Sequence, residues 1–598
     1  MNLVRFAKNK NKSKTVSMAF LRNLLATILG LFIFSFLGIL VLVGIASSSS
    51  EETVEVKDNS VLYLPLGGIL SERTPEDPFQ EFFPNSGPSY LGVLDLLKVI
   101  KNAKTDEKIK GIYIEHGYLS GGFASLKEVR DALLDFKTSG KFIYSYGNYI
   151  SEGDYYIGSV ADELYVNPQG SLEFNGFSAN ISFFKGTLDK LEIEPLVFRV
   201  GEFKSAIEPF IRKDMSPENE LQIKSFLNSA HETFLADIAE ARNIPAEKLK
   251  EISSEMKVRR VADAVDYGLA TKVAYEDEMK TLLKIKLGIE ESADITFISW
   301  KKYKKSISPD EISKNRIAVI VAEGEILMGE GEDGQIGAEK FAREIRNARE
   351  SDRIKAVVLR INSPGGSLTG SDIIWREIML TKEKKPIIAS MGDYAASGGY
   401  YLSMPCDTIV AQPNTITGSI GIFGMMFNME KFLENKLGIT FDVVKTGEYS
   451  DIMTVTRSLS DFEKQIIQDG VNEGYETFTS KAAEARHLPI EKLKELAGGR
   501  VWTGVQAHEL GLVDLLGSFD DAVKIAANKA ELGDDYLLSF YPKQKNFFEE
   551  MFSSASNELE ARSIKNNYGM LAPYLKEIRN LQHYEGIQAR MPYSFDIK

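Results

Sequence analysis

The sequence predicts an α/β protein made of two tandem copies of one domain behind an N-terminal transmembrane helix. Three observations carry this. Similar blocks recur in the same order at an offset of roughly 245 residues, far beyond the roughly 20–50 residues of solenoid repeats. Within each copy, short apolar strands alternate with segments of helical periodicity. A basic N-terminus runs directly into an uncharged apolar stretch.

The N-terminal elements come first. Residues 1–23 form a basic tail whose only charges are Arg5, Lys8, Lys10, Lys12, Lys14 and Arg22, a total of +6. The whole chain of 598 residues carries −14, which leaves −20 for the rest. An acidic body is a poor binder of polyanions, so no nucleic-acid partner is expected. Residues 24–46 are long enough to cross a bilayer as a helix. The basic flank places the N-terminus in the cytoplasm and everything after Ser47 on the other side. The rival is a cleaved signal peptide, whose apolar region is only about 7–15 residues long. Gly44-Ile45-Ala46 nonetheless offers a small-x-small stretch that could be cut. Residues 47–59, rich in Ser and Glu, read as a solvated tether.

The two copies follow. Hydrophobic content of 43% with 26% charged residues is that of a globular protein, and the length calls for more than one core. The N-terminal repeat domain spans 60–305 and the C-terminal repeat domain 306–531. Lys108–Ile114 pairs with Arg353–Leu359, Ser120-Gly121-Gly122 with Pro364-Gly365-Gly366, and Gly170-Ser171 with Gly418-Ser419. Ala241–Pro245 pairs with Ala485–Pro489. Phe341, Ile345 and Ala348 fall on one helical face, as do Leu96, Ile100 and Ala103. Ala356–Leu359 and Pro386–Ala389 read as buried strands. Pro75, Pro78, Pro84 and Pro88 mark an irregular insertion, and residues 300–315 an interdomain linker. Residues 532–598 have no counterpart and are expected to dock on the body or on a neighbouring subunit. The one cysteine, Cys406, cannot form an intramolecular disulfide and is expected to be a buried thiol.

Each copy holds what the other lacks. Ser390–Tyr401 aligns with Ser145–Tyr156, which sets Ser397 opposite Glu152. Gly201-Glu202-Phe203-Lys204 aligns with Gly447-Glu448-Tyr449-Ser450, which sets Lys204 opposite Ser450. A composite Ser/Lys site assembled from both copies is the simplest reading. Ser397 follows a strand on an Ala-Ala-Ser-Gly-Gly turn, where small neighbours should leave its hydroxyl accessible. The Gly398 N–H, at a helix start, can hold developing negative charge. A second such donor is expected at Gly366, in Asn362-Ser363-Pro364-Gly365-Gly366. Tight turns that glycine serves for purely structural reasons are the bland alternative.

A serine nucleophile needs a base. Five histidines exist, His116, His231, His487, His508 and His583, and none has catalytic context. His116 is the reserve candidate. Lys204 is stronger, because Phe203, Ala206, Ile207, Pro209 and Phe210 surround it with apolar material that would favour the neutral amine. Ser419, in Thr417-Gly418-Ser419-Ile420-Gly421, could hydrogen-bond that amine and orient it. No metal-ligand cluster or phosphate loop is visible, so no metal or other cofactor is expected.

The runs Asn-Ser-Pro-Gly-Gly, Ala-Ala-Ser-Gly-Gly-Tyr-Tyr and Thr-Gly-Ser-Ile-Gly resemble those of the signal peptide peptidase A (protease IV) family, in its long, duplicated Gram-negative form. The resemblance covers nearly everything after the anchor and is weakest in the C-terminal extension. It implies Clp protease/crotonase-like domains of ββα spiral units and a serine endopeptidase with a Ser/Lys dyad. By position, Ser397 is then the nucleophile, Lys204 the base and Ser419 its orienting partner. Gly366 and Gly398 become the oxyanion donors. It also implies a single-pass inner (plasma) membrane protein with a periplasmic body. The assembly would be a homotetramer that degrades signal-peptide remnants and other apolar peptides. In the short form, serine and lysine lie about 50 residues apart in one domain; Ser397 to Ser450 and Glu152 to Lys204 keep that spacing. Two rivals remain. One is an inactive membrane scaffold of the same fold. The other is acyl-thioester chemistry, which would not need Lys204.

Overall fold

The computed structural model describes residues 20, 22–38, 54–75, 89–307, 313–544 and 587–591. The chain divides into two units, one of residues 1–56 with 301–308 and one of residues 57–300 with 309–598. In the first unit residues 22–38 are helical and expose Leu25, Phe32 and Phe34. Among the described residues, no helix is long and apolar enough to cross a membrane. The remainder of the expected anchor, 39–46, lies outside them, as do most of the tether and most of the proline-rich insertion. The expected linker carries a helix, Trp300–Ser306.

The second unit holds both copies. The N-terminal copy forms a parallel sheet of Tyr90–Gly92, Ser60–Ser71, Ile109–Ser120, Phe142–Ile150, Glu163–Leu172 and Lys272–Val273, in that order. Phe297–Ser299 pairs beside Ser60–Ser71. The C-terminal copy repeats the plan with Arg316–Glu323, Ile354–Ser363, Ile387–Ala396 and Thr408–Ala411, all parallel. Parallel strands are covered on both faces and so read as continuous apolar runs. Ala356–Leu359 and Ile387–Ala389 are such runs, and all are buried. The cover comes from helices such as Ala338–Glu350, whose Phe341, Ile345 and Ala348 face inward. Its counterpart Val93–Thr105 buries Leu96, Ile100 and Ala103. Cys406 is buried, with its thiol near Leu402 O.

One feature was not foreseeable from local pattern. A third sheet runs in the order Gln335–Gly337, Glu325–Leu327, Gly365–Ser367, Ile587–Arg590, Phe423–Asn428 and Glu194–Arg199. It zips the copies together, because Glu194–Arg199 of the first pairs antiparallel with Phe423–Asn428 of the second. It also takes a strand from the C-terminal extension. That extension docks on the body twice, since Leu537–Tyr541 also pairs with Arg316–Glu323.

Candidate active site

Ser397 stands where the strand Ile387–Ala396 meets the short helix Gly398–Ser403. Its backbone takes φ 55° and ψ −110°, a strained combination for a residue with a Cβ. Two bonds hold the turn. Ser397 N–H donates to Gly418 O at 2.8 Å, and Tyr401 N–H donates to Ser397 O at 2.9 Å. The flanking small residues are demanded by packing. A Cβ on Gly399 would fall 2.6 Å from Ser363 O, and one on Gly398 2.7 Å from Ser371 Oγ. Contrary to expectation the side chain is not accessible: Ser397 is fully buried. Lys204 lies on one side of it. On another, the strand Ile587–Arg590 passes close to Gly398, with Ala589 O 3.0 Å from where a Gly398 Cβ would be.

Lys204 reaches this serine from the other copy. Its Nζ lies 2.8 Å from Ser397 Oγ and 3.1 Å from both Oγ and the carbonyl oxygen of Ser419. It is fully buried, and burial alone pushes its pKa well below that of a free lysine. Ala206, Ile207 and Phe210, apolar residues flagged by the sequence, are buried with Phe423 and Met425 of the C-terminal copy. The backbone at Lys204 is fixed from two sides. Gln222 Nε2 donates to Phe203 O at 3.1 Å and to Ser205 Oγ at 2.7 Å. Phe203 N–H donates to Gly498 O at 3.1 Å. Ser419 has φ 49°; its N–H donates to Arg500 O at 2.7 Å, and its hydroxyl to Gly499 O at 3.3 Å.

The sequence-predicted residues therefore meet, with one refinement among the glycines. Gly366 sits within the third sheet, paired with Ile326 on one side and Ala589 on the other. Gly365, at φ +100°, is the residue against the helix start: its Cβ would stand 2.7 Å from Gly398 N.

The duplicated positions have taken structural work. Glu152, opposite Ser397, is buried and accepts the N–H groups of Asn175 at 2.6 Å and Gly176 at 2.7 Å. Ser450, opposite Lys204, is exposed in a turn. His116 is engaged elsewhere, with Nε2 2.6 Å from Ser145 Oγ and Nδ1 3.7 Å from the Asp154 carboxylate. That Ser–His–Asp group is sealed from solvent inside the N-terminal copy. His487 ends a helix in the left-handed conformation at φ 53°, as Asn243 does at φ 53°. Asn and His both tolerate that geometry, which explains their equivalence in the alignment. His231 stacks on Phe234 and meets Phe177 edge-on. His583 lies outside the described residues.

Sequence reasoning missed the turn Gly498-Gly499, which backs Lys204. A Cβ on Gly499 would come 2.7 Å from the N, Cα and Cβ of Lys204, and its φ is +85°. Gly499→Ala should therefore push the lysine away from Ser397. A shift of about 1 Å at a reacting group costs on the order of 10²-fold in turnover. Gly498→Ala is the control. It shares the left-handed backbone, at φ +67°, but meets nothing closer than Gly201 Cα at 3.8 Å. Peptidase rates for the two variants check this; equal losses would contradict it.

Parallel α/β domains and a strained serine before a helix, with a buried lysine amine within hydrogen-bond reach, are an arrangement found in serine hydrolases. Comparisons with known proteins make the class specific. The model of Peptidase family S49 matches twice, at residues 135–290 and 379–533, one match in each copy. Protease 4 of Haemophilus influenzae is 35% identical over 86% of this chain and 85% of its own. The chloroplastic serine protease SPPA of Arabidopsis thaliana is 35% identical over 80% of this chain and 70% of its own. A putative signal peptide peptidase SppA of Enterococcus faecium is 33% identical over 43% of this chain and 73% of its own. The chain belongs to Peptidase family S49, in the long duplicated form of the signal peptide peptidase A group, and is a serine peptidase.

Proposed function

We propose that this chain is a membrane-anchored endopeptidase that cleaves apolar peptides, signal-peptide remnants among them, with Ser397 as nucleophile and Lys204 as general base. The observation that carries the proposal is the 2.8 Å separation of Lys204 Nζ from Ser397 Oγ inside a fully buried site. Neutral Lys204 takes the serine proton as Oγ attacks the peptide carbonyl carbon. The oxyanion rests on the Gly398 N–H and on the Gly365-Gly366 turn. Protonated Lys204 passes its proton to the leaving nitrogen as the C–N bond breaks. Water, deprotonated by the same amine, then releases the acyl group from Ser397.

The substrate class draws support from the relative named a putative signal peptide peptidase and from the buried apolar cluster of Ala396, Ile416, Val501, Ile223 and Phe226, which begins one residue from Ser397. Anchoring draws support from the apolar run 24–46. Assembly into a tetramer, with the body periplasmic, belongs to the same proposal. Leu437, Ile439, Phe441, Val443 and Val444, close in sequence, are all exposed, and clustered exposed apolar residues support an interaction face there. The test is cleavage of a fluorogenic apolar peptide by the detergent-solubilised protein beside Ser397→Ala. Loss in the variant is expected; equal rates would overturn the assignment, and an inactive parent would favour the scaffold.

Ser419 gives a finer prediction. Its hydroxyl donates to Gly499 O and so accepts from Lys204. Acceptors favour the charged amine. Ser419→Ala should lower kcat about tenfold, the worth of one hydrogen bond to a charged group. It should also move the acid limb of the pH profile to lower pH. A limb moved to higher pH would show that Ser419 does not accept from the lysine.

A further inference from the structure

Arg500 follows the Gly498-Gly499 turn that backs Lys204. Its guanidinium lies against two aromatic rings, with Cζ 5.1 Å from the ring centre of Phe203 and 4.1 Å from that of Trp502. Among the described residues its buried Nε makes no hydrogen bond and its guanidinium no ion pair. Withdrawing a cation from water without a counterion costs stability, and the two ring faces are the attraction that offsets it.

The duplication shows how this differs from an ordinary basic residue. Gly511 aligns with Gly268 and Val501 with Val258, which sets Arg500 opposite Lys257. The preceding backbone is left-handed in both copies, at Gly499 (φ 85°) and at Met256 (φ 48°). Lys257 pairs with Glu251 and, at 3.2 Å, with Glu255. The C-terminal copy has Gly498 where Glu255 stands, and its cation meets aromatic rings instead.

Those rings belong to the two sides of the Ser/Lys pair. Phe203 immediately precedes Lys204 in the N-terminal copy. Trp502 lies in the strand Val501–Thr503, opposite Thr417. Its indole N–H donates to Leu496 O at 3.1 Å. Its ring abuts Gly418, where a Cβ would fall 2.8 Å from Trp502 Cδ1, and Gly418 O accepts the Ser397 N–H. The Arg500 carbonyl also accepts the Ser419 N–H at 2.7 Å. One residue thus touches the segment leading to Lys204, the strand beside Ser397 and the serine that bonds the amine.

We propose that Arg500 is a positioning residue for the peptidase reaction: its guanidinium, steadied by Trp502, holds Phe203 and through it keeps the Lys204 amine against Ser397 Oγ and away from water. This deepens the peptidase reading and rests on it. Arginine suits the task because its planar group stacks on aromatic faces, which a lysine ammonium cannot do.

The experiment compares the parent with Arg500→Ala, Arg500→Lys and Phe203→Leu, with Lys257→Ala as the control at the equivalent position. On one short apolar fluorogenic peptide, Arg500→Ala should lower kcat about tenfold, the worth of a partly desolvated cation–aromatic contact, with KM unchanged. The acid limb of the pH profile should move to higher pH, because an amine that water reaches is easier to protonate. Arg500→Lys should fall between parent and alanine. Phe203→Leu should match Arg500→Ala, and the double variant should be no worse than either alone. Lys257→Ala should match the parent. A raised KM at constant kcat, an unmoved acid limb or losses that add in the double variant would overturn the inference while leaving the peptidase reading intact.

Urea unfolding at neutral pH and near pH 10 decides the matter without activity. Burial alone lowers the pKa of Lys204, so the parent is less stable at neutral pH than that lysine would allow at alkaline pH. If Arg500 keeps the amine dry, Arg500→Ala should narrow this gap, because a hydrated Lys204 can hold its proton in the fold. An equal loss at both pH values would make the arginine merely structural and overturn the inference. If the parent cleaves nothing, the peptidase reading fails, and the gap alone decides whether Arg500 holds Lys204. If Arg500→Ala does not fold, Phe203→Leu is read in the same way on kcat, on the acid limb and on the gap.

Discussion

Lys204→Met should abolish peptide cleavage, by a factor on the order of 10⁴ or more, and should change how stability depends on pH. The second effect identifies the lysine as the buried base. An unfolded lysine titrates near 10.4, and burial without any charged partner pushes the folded pKa of Lys204 well below that. Between those two values the unfolded chain holds a proton that the folded chain does not. Folding then releases a proton, so parent stability falls as pH drops from about 10.4 and levels off below the folded pKa. Each unit of that interval is worth about 1.4 kcal/mol. Methionine fills a similar volume and has no proton to release. The stability of Lys204→Met relative to the parent should therefore be most favourable near neutral pH and decline as pH approaches 10. Urea unfolding of both proteins at neutral and alkaline pH reads this directly. A difference constant across the interval would mean that the lysine is charged in the fold. Ser397→Ala should lose activity equally but keep the parent's pH dependence. The same titration predicts peptidase activity that rises with pH, on a limb displaced below that of a free lysine.

The composite site was legible in the sequence because duplication supplies an internal alignment. Ser397 opposite Glu152, and Lys204 opposite Ser450, could be read as complementary losses before any contact was known. The strands and helix faces were legible because Val357, Ile388, Phe341 and Ile345 repeat at the periods their elements impose. What escaped depends on meetings between distant segments. Gly498-Gly499 looks like any loop until it is found behind Lys204. The Gly365-Gly366 assignment turns on a single residue, and only a sheet register can settle which one faces Gly398. Ile587–Arg590 is too short and too mixed in polarity to read as a strand alone. Its partners are more than 150 residues away in the chain. Arg360, within the apolar run after Leu359, gave no sign of the partners it would need.

Arg360→Ala should be the most destabilising of the single changes considered, by roughly 3–5 kcal/mol, because it strands buried carboxylates. Arg360 is fully buried in a central strand of the C-terminal copy, and its carboxylate partners come from the other copy. Its Nε donates to Glu72 at 2.8 Å, and the two terminal nitrogens donate to Glu128 at 3.0 and 2.8 Å. A second link runs beside it: the Ser125 N–H and hydroxyl donate to Asp393 at 2.8 and 2.6 Å. One guanidinium thus faces several acids, and the cluster cannot hold them all charged. Burial, then the neighbouring Glu72 charge, push the pKa of Glu323 up to about 8; burial also raises that of Glu72. The sign follows. A raised carboxyl pKa gives stability that is complete below the unfolded value near 4.3 and is lost as pH rises through the folded value. The parent should therefore lose stability as Glu323 ionises toward pH 8, and Glu323→Gln should flatten that loss. Arg360→Lys keeps the charge but not the two-pronged geometry, so it should fall between parent and alanine. Urea unfolding of these variants checks the ladder, and an Arg360→Ala loss below about 1 kcal/mol would refute it. Arg360 and Asp393 lie on the two strands that lead to the Gly365-Gly366 turn and to Ser397. Loss of the cluster should therefore cost peptidase activity as well, because Lys204 reaches Ser397 only while the two copies stay docked.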